Sequence, residues 1–342
     1  MNTIIYIILG IIQGLTEPLP ISSSGHIFLF KNLFNTEMFN SLNFEIISNF
    51  GSFVAIFIIF WKDIKELVSS FFIYIFNKDK RRENKNKFKY CWLVVISTIP
   101  VGIVGFIFKE KLENLYNLKG LAFAFLITAL ALFIVRNIKG TKGDYDITIK
   151  DAIVIGLFQM ITIIPGISRS GTVLVACLLC NLKRETALKY TFILYFPVSV
   201  ATMILGVSDL ISTPELSSLL IPYFLGMITA GAVTYISYKW LSNFVKKGKL
   251  HYFSIYCLLL SIFIFLYFRW DHYSWFSFFM NIALPHGSTL SASKESLPPQ
   301  TNFGSSRPYL INISPSNDDY YTYIFYRCKR FDTIRQKFYK NS

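Results

Sequence analysis

The sequence predicts an all-α polytopic membrane protein: an inverted-topology repeat of about six transmembrane helices plus two re-entrant helix hairpins. Three observations predict it. Of 342 residues, 53% are hydrophobic and only 16% are charged, whereas a soluble domain carries roughly 25% charged residues. Too few polar side chains remain to cover a water-facing surface, so the solvent is lipid. The net charge of +14 sits in short connections between apolar runs, which is how basic residues orient a membrane chain; no nucleic-acid partner is expected. Finally, two apolar stretches 146 positions apart carry the same broken motif.

The first element is residues 1–35, an apolar stretch interrupted by PLPISSSG at 18–25. Proline and glycine there stop a helix. Broken backbone at membrane depth is tolerated only when buried in protein or lining a wet cavity, so the stretch reads as a helix–break–helix hairpin. It lacks the positive n-region of a secretory signal. A span over 44–61 follows, then 62–76 (KDIKELVSSFFIYIF), which reads as an amphipathic helix on the interface. Residues 77–89 hold seven Lys/Arg and are expected inside. Spans over 90–108 and 119–136 come next, and 136–150, with four Lys/Arg, is again inside.

The second half repeats the plan. Residues 151–183 are broken by PGISRSG at 165–171, and spans over 190–208, 219–238 and 252–269 follow. The connection 209–218 holds Asp209 and Glu215 and no base, so it is expected outside; 239–249, with four Lys/Arg, is expected inside. Counting spans leaves the two hairpins in opposite orientations. Shifting the chain by 146 positions superposes GIIQGLTEPLPISSSG (10–25) on GLFQMITIIPGISRSG (156–171) without a gap, and seven of sixteen positions are identical. Inverted repeats with broken helices are a known way to build a site at the bilayer midplane. The repeats run over about 1–150 and 151–270, within one membrane domain, 1–270. Residues 271–342 turn polar and read as a loosely ordered C-terminal extension.

Ionisable residues inside a bilayer are functional candidates, and three lie at the breaks: Glu17, His26 and Arg169. Thr16, Ser22, Ser23, Ser24, Ser168, Ser170 and Thr172 surround them. The set suits phosphate chemistry. An arginine fork matches phosphate oxygens, helix N-termini present N–H groups to anions, a carboxylate and an imidazole supply base and acid, and a serine becomes a nucleophile beside a base. Set against this, membrane serines commonly bond back to a carbonyl, and Glu17 with Arg169 would also suit a structural ion pair. The five cysteines are too scattered for a disulfide framework. Cys177 and Cys180 form a CxxC with no other ligand type near it and read as packing.

These residues carry a family resemblance. QGLTEPLPISSSGH (13–26) and PGISRSG (165–171) resemble the two signatures of the undecaprenyl-diphosphate phosphatase (bacitracin-resistance protein) family. The likeness extends to FEIISNFGSFVAIFIIFW (44–61), STIPVGIVGF (97–106) and RETALKYTFILYFPV (184–198), and covers roughly residues 1–270. It implies a hydrolase that takes the terminal phosphate from undecaprenyl diphosphate, recycles the lipid carrier of cell-wall synthesis and confers bacitracin resistance. It implies a multi-pass protein of the bacterial inner (plasma) membrane with its site opening outward. Residue by residue, it implies Glu17, Ser23, His26 and Arg169 as catalytic, with Ser23 the nucleophile, Glu17 the base and His26 the acid or a phosphate ligand. Gln13, Ser22, Ser24, Ser168, Ser170 and Thr172 are the expected substrate-binding set. Pro18 stands where an aromatic is common, and Val173 where a threonine is usual, with Thr172 one place earlier. A divalent cation, Mg2+ or Ca2+, is expected to bind mainly through substrate, its protein ligands beyond Glu17 and Gln13 being unknown; no organic cofactor is expected. The partners are a polyprenyl diphosphate and membrane lipids, with a homodimer left open. The inverted repeat alone would favour a secondary transporter or lipid flippase, which needs no nucleophile, base and acid together.

Overall fold

The computed structural model describes residues 2–34, 42–113, 117–211 and 216–267. The expected extension 271–342 lies outside the described residues, as do the side chains of Asp209 and Glu215. The described residues form α1 Asn2–Thr16, α2 Ser23–Phe34, α3 Leu42–Phe76, α4 Arg81–Glu113, α5 Leu118–Val135, α6 Ile149–Ile161, α7 Arg169–Leu179, α8 Arg184–Ile211, α9 Leu216–Lys246 and α10 His251–Tyr267. One turn of 3₁₀ helix, Asp144–Asp146, precedes α6. An isolated bridge between Lys142 and Leu182 is the single β-type pairing among the described residues.

This is an all-helical polytopic membrane protein. Among the described residues five stretches are long and apolar enough to cross a bilayer: Phe44–Phe76, Arg81–Ile107, Leu118–Val135, Arg184–Gly206 and Leu219–Lys246. The sixth expected span corresponds to α10, whose 17 residues reach about 26 Å, just under the thickness of the hydrocarbon core. Its outer face is apolar and open to lipid, with Leu266 76% exposed.

One expectation is corrected. Residues 62–76 do not lie as a separate interfacial helix; they continue α3 without a break. The stretch contains neither Gly nor Pro, so nothing stops the helix at residue 61. α3 is therefore about 52 Å long and α4 about 50 Å, and the pair overshoots the hydrocarbon core. The basic stretch 77–89 is accordingly a tight turn followed by the first turns of α4. Ion pairs gather the basic connections at this end: Lys87–Glu66 at 2.5 Å, Lys189–Asp63 at 2.6 Å, Lys189–Asp144 at 3.2 Å and Lys142–Asp151 at 2.8 Å. Burial alone would raise the Asp151 carboxyl, but Lys142 and the Thr148 N–H and hydroxyl hold it below the usual range.

Helices meet where side chains are small, as membrane helices do when packing rather than hydrophobicity joins them. A Cβ on Gly10 would overlap the Gly226 carbonyl, one on Gly14 the Ala230 carbonyl, and one on Gly51 the Met227 carbonyl. Glycine thus seats α1 and α3 against α9. The pairings repeat with a shift of five helices: α1 packs on α9 as α6 packs on α4, α3 on α9 as α8 on α4, and α1 on α2 as α6 on α7. α5 packs on α10 and α3 on α8. α7 sits in the middle, with Val173 to Leu178 all buried.

Candidate active site

Both broken hairpins stop and restart at equivalent positions. α1 ends at Thr16 and α2 restarts at Ser23; α6 ends at Ile161 and α7 restarts at Arg169. The serines of the motifs therefore begin the second helices rather than filling the breaks. Ser22 Oγ accepts the Gly25 N–H at 3.3 Å, and Ser168 Oγ accepts the Gly171 N–H at 3.1 Å. Each is the N-cap that a helix start calls for. Ser23 and Arg169 are then the first residues after equivalent caps. The left-handed residue differs, being Gly166 (φ 89°) in one break and Ser22 (φ 70°) in the other. A serine there is strained by roughly 1–2 kcal/mol and is held by its neighbours. The Ser22 carbonyl accepts the His26 N–H at 3.2 Å and pairs with His26 Nδ1 at 2.6 Å.

The two breaks touch. Ser170 Oγ donates to the Leu19 carbonyl at 3.0 Å. A Cβ on Gly171 would stand 3.2 Å from that of Pro20. The first turns of α2 and α7 border one cavity of about 360 Å³. Eight expected site residues line it: Gln13, Glu17, Ser22, Ser23, Ser24, Ser168, Arg169 and Ser170. Glu17 Oε2 accepts the Gln13 amide at 3.0 Å and the Ser23 hydroxyl in a short hydrogen bond. Arg169 Nη1 donates to Ser199 Oγ at 3.2 Å, and its guanidinium lies 5.4 Å from the centre of the Tyr195 ring. Among the described residues Arg169 forms no ion pair with a carboxylate, so the structural Glu17–Arg169 pair is not made. A half-buried guanidinium without a counter-ion suits an anionic ligand. The arrangement supplies a hydroxyl already bonded to a carboxylate, a fork for phosphate, and two helix N-termini.

Two expected residues stand elsewhere. His26 and Thr172 do not line the cavity, whereas Val173, where the threonine was looked for, does. Both ring nitrogens of His26 are engaged: Nδ1 with the Ser22 carbonyl and Nε2 with the Tyr256 hydroxyl at 2.7 Å. A carbonyl only accepts, so Nδ1 carries the proton and Nε2 accepts from Tyr256.

Sequence reasoning missed Glu45, Asn49, Gln159 and Tyr195, which also line the cavity. Glu45 pairs with Lys31 at 3.0 Å. Asn49 Oδ1 accepts the Tyr195 hydroxyl at 2.8 Å, so the ring beneath Arg169 is tied to α3. The signal for Glu45 and Asn49 was their i, i+4 spacing on an otherwise apolar span, and for Gln159 its identity with Gln13 in the repeat. Tyr195 gave no such signal. Among the described residues no three His, Cys, Asp or Glu side chains form a metal cluster.

Comparison with known proteins identifies the family of the chain. A family described as "Bacitracin resistance protein BacA" matches residues 6–263. The chain is 42% identical over 258 residues to "Undecaprenyl-diphosphatase 2" of Bacillus thuringiensis (strain Al Hakam), covering 75% of this chain and 94% of that protein. It is 40% identical over 265 residues to "Undecaprenyl-diphosphatase" of Oceanobacillus iheyensis, covering 77% and 95%. It is 39% identical over 255 residues to "Undecaprenyl-diphosphatase 1" of Halalkalibacterium halodurans, covering 74% and 92%.

Proposed function

The chain belongs to the bacitracin resistance protein BacA family, and from that premise we propose how its cavity works. It hydrolyses undecaprenyl diphosphate to undecaprenyl phosphate and phosphate, recycling the lipid carrier of cell-wall synthesis and conferring bacitracin resistance. The observation that carries the mechanism is the Ser23 hydroxyl donating to Glu17 in a cavity shared with Arg169, which has no carboxylate partner among the described residues.

Ser23 Oγ attacks the terminal phosphorus as Glu17 takes its proton. The anhydride bond breaks and undecaprenyl phosphate leaves. A phosphate leaving group is stable as an anion, so its departure needs no general acid. Glu17 gives the serine proton up to solvent water and then takes a proton from the water that attacks the phosphoserine; the Oγ–P bond breaks, Ser23 Oγ takes that proton from Glu17, and phosphate leaves. Arg169 balances charge on the transferred group, with Ser170, Ser24 and the N–H groups of α2 and α7 around it. Gln13 fixes the Glu17 carboxylate, and His26 supports the break through the Ser22 carbonyl. Glu17, with Gln13 beside it, would be the protein's contribution to holding a divalent cation, Mg2+ or Ca2+, bound mainly through the diphosphate, and such an ion would supply charge neutralisation there.

The finer architecture belongs to the same proposal: six spans, two re-entrant hairpins and an inverted repeat over 1–150 and 151–270. Support comes from the five-helix shift in the packing pairs and the matched serine caps. The basic connections joined by ion pairs support an inside end, which would open the site to the outer face of the plasma membrane. Purified protein should release phosphate from undecaprenyl diphosphate in detergent, and Glu17→Gln should not. Release at an equal rate from both would overturn the assignment.

A further inference from the structure

We infer that Gln159 is a further phosphate-binding residue of the cavity, contributed by α6 and held without a protein partner among the described residues for the substrate's use. This rests on the phosphatase reading above and adds to it a residue outside both signature motifs.

Gln159 and Gln13 are equivalent in the repeat, but their surroundings differ. Gln13 is followed four residues later by Glu17, one turn along the same helix face, and its amide donates to that carboxylate at 3.0 Å. Four residues after Gln159 comes Ile163. The carboxamide of Gln159 thus has no acid to serve. Gln159 is 1% exposed, and neither its Oε1 nor its Nε2 has a hydrogen-bond partner among the described residues. It lines the cavity together with Arg169 and Ser23. Leaving buried polar atoms unpaired is destabilising, and a leucine or methionine at this place would avoid that. The Thr162 hydroxyl bonds the Gln159 backbone carbonyl at 2.7 Å and leaves the side chain free.

A neutral amide suits a diphosphate. Nε2 donates to a phosphate oxygen without adding charge to a site that already holds Arg169. Oε1 accepts from a protonated phosphate oxygen or from the water that completes the reaction. Gln13 therefore orients the base, and Gln159 orients the substrate.

The test separates a ligand role from a structural one, because the two predict opposite stability effects. Gln159→Met removes both polar atoms and keeps the length. A structural glutamine would lose stability on this change; one reserved for ligand would not. The expected result is an unchanged or raised Tm in Gln159→Met without ligand, loss of the stabilisation that inorganic pyrophosphate gives wild type, and a fall of about tenfold or more in kcat/KM for farnesyl diphosphate, mostly in KM. Activity within threefold of wild type with the full pyrophosphate shift overturns the inference, as does a lowered Tm with normal turnover per folded molecule. Gln159→Glu is the isosteric check, since a carboxylate repels phosphate; a wild-type pyrophosphate shift in that variant also overturns it. If wild type releases no phosphate from farnesyl diphosphate, the phosphatase reading itself fails, and the pyrophosphate shift still reports on Gln159 separately.

Discussion

The Ser23 hydroxyl donates to the same Glu17 oxygen that accepts the Gln13 amide. Of three consecutive serines, it alone has a carboxylate for a partner. Ser22 is turned to cap α2, and Ser24 Oγ lies 3.5 Å from Ser22 Oγ. Ser23→Ala should therefore slow turnover about thirtyfold or more, roughly 2 kcal/mol of barrier. Ser24→Ala should cost much less. Ser22→Ala should lower stability by about 1 kcal/mol through the lost cap and leave the rate per folded molecule nearly intact. Steady-state rates on equal amounts of monodisperse protein decide the order; a Ser23→Ala enzyme milder than the other two would move the attack to water.

Glu17→Gln keeps the shape of the side chain but cannot take the serine proton. Turnover should fall by about 10² to 10⁴, the range of a positioned base. Gln13→Glu should lose less, because Gln13 touches Glu17 and not Ser23 in the hydrogen-bond network. Its penalty should ease as pH falls, since protonating one of two adjacent carboxyls relieves their repulsion. Rate–pH profiles of both variants test this; a Gln13→Glu enzyme as dead as Glu17→Gln would make Gln13 part of the chemistry.

Arg169→Lys keeps the charge and loses the fork. An ammonium can still reach Ser199 or the Tyr195 ring, but it cannot bind two phosphate oxygens with a planar fork. A fall of about 10² or more in kcat/KM is expected. Near wild-type kinetics would remove Arg169 from the site.

Much of this was legible in the sequence because membrane physics makes it so. A broken helix in an apolar stretch cannot hide, and neither can Glu17 or Arg169 among uncharged neighbours. The 146-residue shift paired Ser22 with Ser168 and Gly25 with Gly171, and the caps reproduce those pairs. What stayed illegible depends on rotamers and on distant helices. Nothing local says that the His26 ring turns toward Tyr256, 230 residues away, or that Tyr195 lies under Arg169. The continuity of α3 through 62–76 was obscured by its charges, which suggested an interface rather than a helix leaving the membrane.

Deleting residues 275–342 should leave phosphate release intact, since the family match ends at residue 263 and every cavity residue lies before it. Phosphate release by the truncated chain, normalised to inserted protein, checks this; a rate below one third of the full chain would tie the C-terminal segment to activity.

The last prediction concerns how His26 acts. Its Nδ1–H reaches the carbonyl of Ser22, the strained residue immediately before Ser23. Its Nε2 is taken up by Tyr256 on α10. A ring so engaged acts by holding the break, which sets where the Ser23 hydroxyl points. An asparagine amide can stand where Nδ1 stands, and a glutamine amide where Nε2 stands. His26→Asn should therefore keep activity within about tenfold of wild type, whereas His26→Gln should lose roughly 10² or more, because the serine is then misplaced. Tyr256→Phe, which removes only the outer partner, should stay within about threefold. Comparing the three rates on folded protein separates the roles. Equal loss in His26→Asn and His26→Gln would mean that the imidazole itself carries a proton in the reaction, and that the ring turns into the cavity when substrate binds.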